Sequence, residues 1–211
     1  MKISSSKENI LKKIRKALSQ STPIPFPQSE GNHSVFQPAT QDPEIEFAEQ
    51  FTRLQGKFIF CVDHQELVAQ LNTLVSTRSW KKLYCREEPL KVTLKTHLFD
   101  GFVETELADC DAAVTTCELL VARTGSIIMS SAGPSGRTVS VYAPIHICIA
   151  YTDQLVYDIR DGLQLLKEKY QNHLPSLITF ATGPSRTADI EKTLVVGVHG
   201  PKEVYLFLVD R

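Results

Sequence analysis

The sequence predicts an α/β domain in which helices flank a mainly parallel sheet. Short continuous apolar runs, such as residues 58–62 and 145–149, have the length and composition of strands that are buried on both faces. Segments with helical apolar spacing, such as residues 44–55 and 157–170, separate these runs. Strands that alternate with helices are typical of βα units around a parallel sheet.

The chain of 211 residues is predicted to have three parts. Residues 1–20 hold a basic amphipathic helix over residues 7–20, which either packs on its own domain or a second copy, or docks a partner or a lipid surface. Residues 21–43 carry five of the eleven prolines and are predicted to be an extended linker. Residues 44–211 are predicted to form the α/β domain. The apolar stripe of the first helix consists of Ile10, Leu11, Ile14 and Leu18.

Within the predicted domain, Asp63 is expected to cap a helix and Glu66 to complete a capping box three positions later. Helices are predicted over residues 44–55, after Asp63, and over residues 157–170. Strands are predicted over residues 57–62, 82–85, 112–116, 126–131, 145–152, 177–181 and 204–209.

Composition excludes several classes of protein. The 23 basic and 24 acidic residues leave a formal charge of −1, which offers no basic field for nucleic acid. We expect no transmembrane helix, because no window approaches the roughly eighteen apolar residues that one needs. The five cysteines are odd in number and widely spaced, without a C-x-x-C pair, so neither a disulfide framework nor a zinc or iron–sulfur site is expected in this chain. The first residues show no secretory signal, and a reducing cytoplasm is predicted.

Two loops of similar chemistry are candidate ligand sites. Residues 131–137 and 181–187 each follow a predicted strand and combine glycine, proline, hydroxyl groups and one arginine. Such loops suit a carboxylate or phosphate, because backbone N–H groups, hydroxyls and a guanidinium all donate hydrogen bonds. We predict that the two loops converge on one small anion; plain structural turns are the alternative. Neither loop has Walker or G-x-G-x-x-G spacing.

Other polar residues extend this candidate site. His146, at the start of a predicted strand, is either a general base or a satisfied core residue. Asp189 and Glu191 are candidates for acid, base or metal-ligand roles, or else for local capping. No close metal-ligand spacing joins these residues, so no metal is assigned. The candidate catalytic residues are His146, Asp189 and Glu191. The candidate ligand-binding residues are Thr124, Gly125, Ser126, Arg137, Gly183, Ser185, Arg186, Thr187 and His199.

Taken together, these segments resemble the LutC/YkgG family, the lactate utilisation (LUD) domain. The resemblance spans residues 44–211, and its most specific strings are residues 183–191 (GPSRTADIE) and 197–201 (GVHGP). Further matches are residues 122–126 (ARTGS), Arg137, and residues 143–147 (APIHI).

The resemblance implies a fold like that of the NagB/RpiA/CoA-transferase group. It also implies a role in a LutABC-like system that oxidises L-lactate to pyruvate with LutA-like and LutB-like iron–sulfur proteins, so the clusters are expected in those partners and not in this chain. Many relatives carry glutamate where Arg123 stands. Since arginine cannot be the carboxylate nucleophile that some enzymes of the wider group use, Arg123 is expected to support binding of a carboxylate substrate instead.

Two alternatives stay open at this point. The first alternative to the lactate-oxidation role is a stand-alone enzyme acting on an activated acid, a phosphosugar or a folate-like substrate, by analogy with the fold group. The second alternative is a non-catalytic assembly or regulatory subunit. In the second alternative the first helix is a docking arm. A homo-oligomer is compatible with each of these hypotheses.

Overall fold

The structure is a computed structural model that describes residues 5–19, 38–39, 41–171, 173–190 and 193–211. The chain divides into two units, residues 1–37 and 38–211. In the first unit, the described residues include helix α1 (Ser5–Leu18), which begins and ends two residues before the predicted bounds of 7–20. Its apolar side chains Ile10, Leu11 and Ile14 are exposed. Most of the predicted linker lies outside the described residues.

The described part of the second unit contains both helices and strands. Its helices are α2 (Pro43–Arg53), α3 (His64–Arg78), α4 (Glu88–Thr96), α5 (Val139–Tyr142) and α6 (Ile159–Lys169). Its strands are β1 (Lys57–Cys61), β2 (Leu83–Tyr84), β3 (Ala112–Thr115), β4 (Leu119–Val121), β5 (Ser126–Ser130), β6 (Ile145–Tyr151), β7 (Leu155–Val156), β8 (Ile178–Ala181), β9 (Arg186–Ile190), β10 (Thr193–Val196) and β11 (Glu203–Val209).

A parallel sheet forms the centre of the unit, which confirms the predicted fold class. Its strand order is β1-β11-β6-β3-β2, and all four neighbouring pairs are parallel. Side chains of β6 alternate between two cores: Ile147 and Ile149 pack with α3, whereas Cys148 and Ala150 pack with Phe47 of α2. Burial of both faces explains why the strands are continuous apolar runs.

A second sheet was not predicted as a separate layer. Its order is β7-β4-β5-β8, with β5 antiparallel to both of its neighbours. Helix α6 covers this sheet through Leu166, which packs with Val121 and Ile128. The predicted strands at residues 126–131 and 177–181 therefore exist but belong to this mainly antiparallel sheet. Strands β9 and β10 form a separate antiparallel hairpin.

The helix ends show how local sequence sets the elements. Asp63 Oδ1 accepts a hydrogen bond from the Glu66 N–H at 2.8 Å, which caps α3 as predicted. Glu66 Oε2 accepts from the Val62 N–H at 2.9 Å, so the reciprocal bond reaches one residue earlier than in a standard capping box. Helix α4, which was not predicted, begins with a proline in its first turn and buries Leu90 and Leu94.

Candidate functional site

The two Gly-Pro-Ser loops leave the second sheet at opposite ends. Strands β5 and β8 are antiparallel neighbours, with Ser130 opposite Ile178 and Ile127 opposite Ala181. The loop that follows β5 therefore starts where β8 begins, and the loop that follows β8 starts where β5 begins. The prediction that both loops converge on one pocket is wrong, because the loops start at opposite ends of this sheet. The antiparallel pairing that separates them is not visible in the sequence.

Each loop instead lines a cavity of its own. The first, here called the β3 cavity, measures about 270 Å³ and lies at the carboxyl end of β3, between residues 115–118 and the loop residues 132–136. The second, here called the β8 cavity, measures about 230 Å³ and lies between residues 179–185 and 199–201. The cavities are neighbours, because Met129 and Ser140 line both of them.

The β8 cavity gathers three of the predicted ligand-binding residues, Gly183, Ser185 and His199. Gly183 has φ +81°, and a Cβ atom there would lie 2.6 Å from the Leu54 carbonyl oxygen, so both backbone and space require glycine. The Ser185 N–H donates to the Pro201 carbonyl at 2.9 Å, and the Gly197 N–H donates to the Ser185 carbonyl at 2.9 Å. These bonds hold the two most specific sequence strings against each other.

The arginines of the two loops do not line either cavity. Arg137 is exposed and donates to the Ser176 hydroxyl. Arg186 is also exposed and donates to the Leu54 carbonyl. Thr187 lies beyond the cavity in β9. In this structure both guanidinium groups donate hydrogen bonds to neighbouring segments of the chain. The side-chain donors at the β8 cavity are therefore hydroxyls and the His199 ring.

The Thr124–Ser126 turn reaches the β8 cavity indirectly. The hydroxyls of Thr124 and Ser126 lie 2.8 Å apart, and the Ser126 hydroxyl lies 2.8 Å from that of Thr182, which lines the cavity. Gly125 has φ +59°, and a Cβ atom there would lie 2.6 Å from the Phe51 backbone nitrogen. The turn therefore packs against α2 and contacts the wall of the β8 cavity through Thr182.

His146 lies in the interior and does not line either cavity. Its side chain is fully buried, and Nε2 lies 2.8 Å from the hydroxyl of Thr115, a residue of the β3 cavity wall. Burial lowers the pKa of His146 to about 4, so the ring is neutral at pH 7. Nδ1 has no hydrogen-bond partner among the described residues. This placement favours the core-residue interpretation over the general base.

The acidic candidates near the second loop are only partly described. Asp189 lies in β9, but its side chain is outside the described residues, and Glu191 is outside them altogether. Their predicted acid, base or ligand roles stay predictions. Within the described ranges, no group of three or more His, Cys, Asp and Glu side chains could hold a metal ion.

Arg123 supports a helix and does not line either cavity. Its Nε donates to Asp158 Oδ2 at 2.6 Å, and Asp158 Oδ1 accepts from the Arg160 N–H at 3.0 Å, which caps α6. The Arg160 N–H and then the Arg123 guanidinium hold the pKa of Asp158 below its usual range. Arg123 pairs with a carboxylate of the chain itself, and the expectation that it supports binding of a carboxylate substrate finds no support at either cavity.

Sequence reasoning missed the polar wall of the β3 cavity, which includes Glu87, Glu118 and Lys169. Glu118 is half-buried; burial raises its pKa, but hydrogen bonds from Lys169, Ser130 and Tyr170 outweigh this effect and lower it. One signal was available: Glu118 follows the carboxyl end of a predicted parallel strand, which is where ligands bind in such sheets. Glu87 follows the predicted strand at residues 82–85 in the same way, so the same signal was available for it.

Comparison with known proteins agrees with the resemblance. The family model described as the LUD domain matches residues 45–209. Proteins named lactate utilization protein C are similar to this chain: one from Deinococcus radiodurans is 34% identical over 105 residues, covering 49% of each chain. One from Bacillus subtilis is 35% identical over 104 residues, covering 48% of this chain and 43% of the relative. The chain thus spans about half the length of these curated relatives.

A solved structure is similar in fold. The crystal structure of a DUF162 family protein from Deinococcus radiodurans superposes with a TM-score of 0.60 at 19% identity, covering 79% of this chain and 96% of that one. This likeness concerns the α/β fold alone. Among the described residues, none of the helices combines the length and apolar character that crossing a bilayer requires.

Proposed function

Because the chain belongs to the LUD domain family, we propose that it is a component of a LutABC-like system that oxidises L-lactate to pyruvate. The observation that carries this proposal is the family match over residues 45–209, together with several relatives named for lactate utilisation. Oxidation of lactate to pyruvate releases two electrons and two protons. In our proposal the electrons pass to iron–sulfur clusters in LutA-like and LutB-like partner proteins.

The cysteines of this chain support a division of labour with such partners. Four of the five are buried in the packed interior, and Cys117 is half-buried. Burial raises the pKa of the Cys61 and Cys85 thiols to about 11, which disfavours the thiolate form that a cluster ligand requires. This is consistent with our proposal that the iron–sulfur clusters of the reaction belong to other polypeptides.

We assign binding of the small anionic ligand to the β8 cavity. Among the described residues that line this cavity none is acidic, whereas the hydroxyls of Thr182 and Ser185 and the ring of His199 supply hydrogen-bond donors. The β3 cavity is less suitable for an anion, because Glu87 and Glu118 both line it. The proposed role of the β8 cavity is to hold the carboxylate of a small hydroxy acid.

Growth on L-lactate tests the pathway role. We expect deletion of the gene to abolish growth on L-lactate as sole carbon source and the wild-type gene to restore it. Normal growth of the deletion strain, in the absence of a second copy, would contradict the proposal.

Complementation with variants tests the ligand site separately. We expect His199→Gln and Ser185→Ala to restore growth poorly, because the first removes the imidazole ring and the second removes a hydroxyl donor from the β8 cavity. His173→Gln is the matched control, since this exposed histidine lies outside both cavities. Full complementation by the first two variants would remove the β8 cavity from the proposal and leave the pathway role standing.

Helix α1 supports a second role for the same chain, as a docking arm for a partner protein. Its apolar side chains Ile10, Leu11 and Ile14 are exposed, and basic residues occupy its other faces. We expect removal of residues 1–43 to abolish co-purification with the LutA-like and LutB-like proteins while leaving the α/β domain folded. Unchanged co-purification after this truncation would eliminate the docking role.

A further inference from the structure

The β3 cavity has the position of a ligand site but a chemistry opposite to that of the β8 cavity. It lies at the carboxyl end of a central parallel strand, where α/β sheets bind their ligands. Two carboxylates and several hydroxyls line it, and the hydrogen bonds between these groups determine which ligand chemistry it accepts.

Glu118 takes up the donors on one side of the cavity. Its Oε1 accepts hydrogen bonds from the hydroxyls of Ser130 and Tyr170, both at 2.6 Å. Its Oε2 accepts from Lys169 Nζ, also at 2.6 Å. A carboxylate has about four acceptor sites, so Glu118 retains about one for a ligand.

Glu87 takes up the donors on the other side. This carboxylate is buried, and its Oε1 accepts from the Ser135 hydroxyl at 2.6 Å and from the Thr116 N–H at 3.1 Å. Its Oε2 accepts from the Thr116 hydroxyl at 2.6 Å. Like Glu118, Glu87 therefore retains about one of its four or so acceptor sites.

These bonds leave the cavity with more acceptors than donors. Four of the six side-chain hydroxyls that line it donate their O–H to a carboxylate, and a fifth, that of Thr115, is paired with His146. The side-chain donors that remain are the Ser140 hydroxyl and the N–H groups of Lys169 that Glu118 does not use. Among the described residues that line the cavity, the two carboxylates and one ammonium group carry a net charge of −1. Lys169 is paired with Glu118, so the charge of Glu87 has no counterion in the lining.

We propose that the β3 cavity binds a small molecule through a primary ammonium group. Such a group carries a positive charge and three N–H donors, which match the uncompensated carboxylate and the remaining acceptor sites of Glu87 and Glu118. A carboxylate ligand would meet like charge and lone pairs. The site is distinct from the anion site proposed for the β8 cavity and does not depend on it.

Cys117 provides a direct readout of occupancy. It lines the β3 cavity and is the one cysteine of the five that is not buried, so iodoacetamide should alkylate it first. Three probes of similar size differ only in one group: ethanolamine carries an ammonium, ethylene glycol a second hydroxyl, and glycolate a carboxylate. We expect ethanolamine to slow alkylation of Cys117 in the full chain at pH 7.5, and the other two probes to leave the rate unchanged.

Charge variants test the assignment in both directions. We expect Glu118→Gln to weaken protection by ethanolamine about tenfold or more, because it replaces a charge-assisted bond with a neutral one. We expect Lys169→Met to strengthen protection, since it removes the cation that competes for Glu118. Lys167→Met, an exposed position on the same helix outside the cavity, is the matched control and should change nothing.

Several results would overturn the proposal. One is protection of Cys117 by glycolate or ethylene glycol that equals or exceeds protection by ethanolamine. Another is no protection by ethanolamine. A third is protection by ethanolamine that Glu118→Gln and Lys169→Met leave unchanged. If Glu118→Gln fails to fold by circular dichroism, Glu87→Gln provides the same test from the other carboxylate, and its failure to weaken protection would equally contradict the ammonium site.

Discussion

Burial of His146 makes the stability of the domain depend on pH. The ring is fully buried, and its pKa is lowered by burial to about 4, whereas an unfolded chain has a histidine pKa of about 6.5. Between these values the unfolded chain binds a proton that the folded domain does not. The stability that the neutral His146 ring contributes is therefore fully present above about pH 6.5 and is lost as the pH falls toward 4.

The size of this loss follows from the difference between the two pKa values. A difference of about 2.5 units corresponds to about 3 kcal/mol in total at 1.36 kcal/mol per unit. Between pH 7.5 and pH 5 the share due to His146 is about 2 kcal/mol. This window lies above the range in which the carboxylates protonate, so histidines dominate the change.

Urea unfolding of the wild type and of His146→Leu at the two pH values measures this contribution. The variant carries no titratable group at this position, so we expect it to lose about 2 kcal/mol less than the wild type between pH 7.5 and pH 5. Comparison of the two proteins cancels the contribution of His64, whose pKa is also lowered by burial, by His97 and by Arg211. His146→Gln serves if the leucine variant does not fold. Equal pH dependence in wild type and variant would refute the assignment of a buried neutral ring.

Four further substitutions test the turns and helix ends of the domain by urea unfolding at pH 7.5. Gly125→Ala should destabilise the domain by about 2–4 kcal/mol, because both its positive φ and the α2 backbone oppose a Cβ atom. Gly136→Ala, at φ +62° with no atom within 4 Å of the added Cβ, should cost only about 1–2 kcal/mol; equal costs would contradict the steric argument. Arg123→Ala should cost about 1–3 kcal/mol by leaving the buried Asp158 without its ion pair, and a neutral result would show that the pair is not stabilising. Asp63→Ala should cost about 1 kcal/mol through loss of the α3 cap, unless water replaces the bond fully.

The elements could largely be predicted from the sequence, because each depends on local patterning. The strand at Ile145–Tyr151 is a continuous apolar run, and Asp63 begins a helix where its side chain caps the first turn. Strand partners depend on long-range pairing, which no local pattern records. Residues 126–131 and 177–181 were therefore predicted as strands but not as members of a separate antiparallel sheet.

The sequence predicts residues of the candidate site only where a cavity-lining residue also belongs to a turn with a recognisable sequence. Gly183 and Ser185 stand in a turn whose residue types are visible in the sequence, and both line a cavity. Arg137 and Arg186 have the right chemistry for an anion, but their guanidinium groups are used by nearby oxygens of the chain. Glu87 and Glu118 lie 31 positions apart, and only the fold brings them to one cavity.

Titration of the full chain with L-lactate, followed by calorimetry, tests most directly whether the β8 cavity holds a small hydroxy acid. We expect saturable binding that His199→Gln and Ser185→Ala each weaken and that His173→Gln leaves unchanged. Saturable binding that is identical in all four proteins would place the ligand elsewhere, and no heat of binding in the wild type would contradict an anion site in this chain.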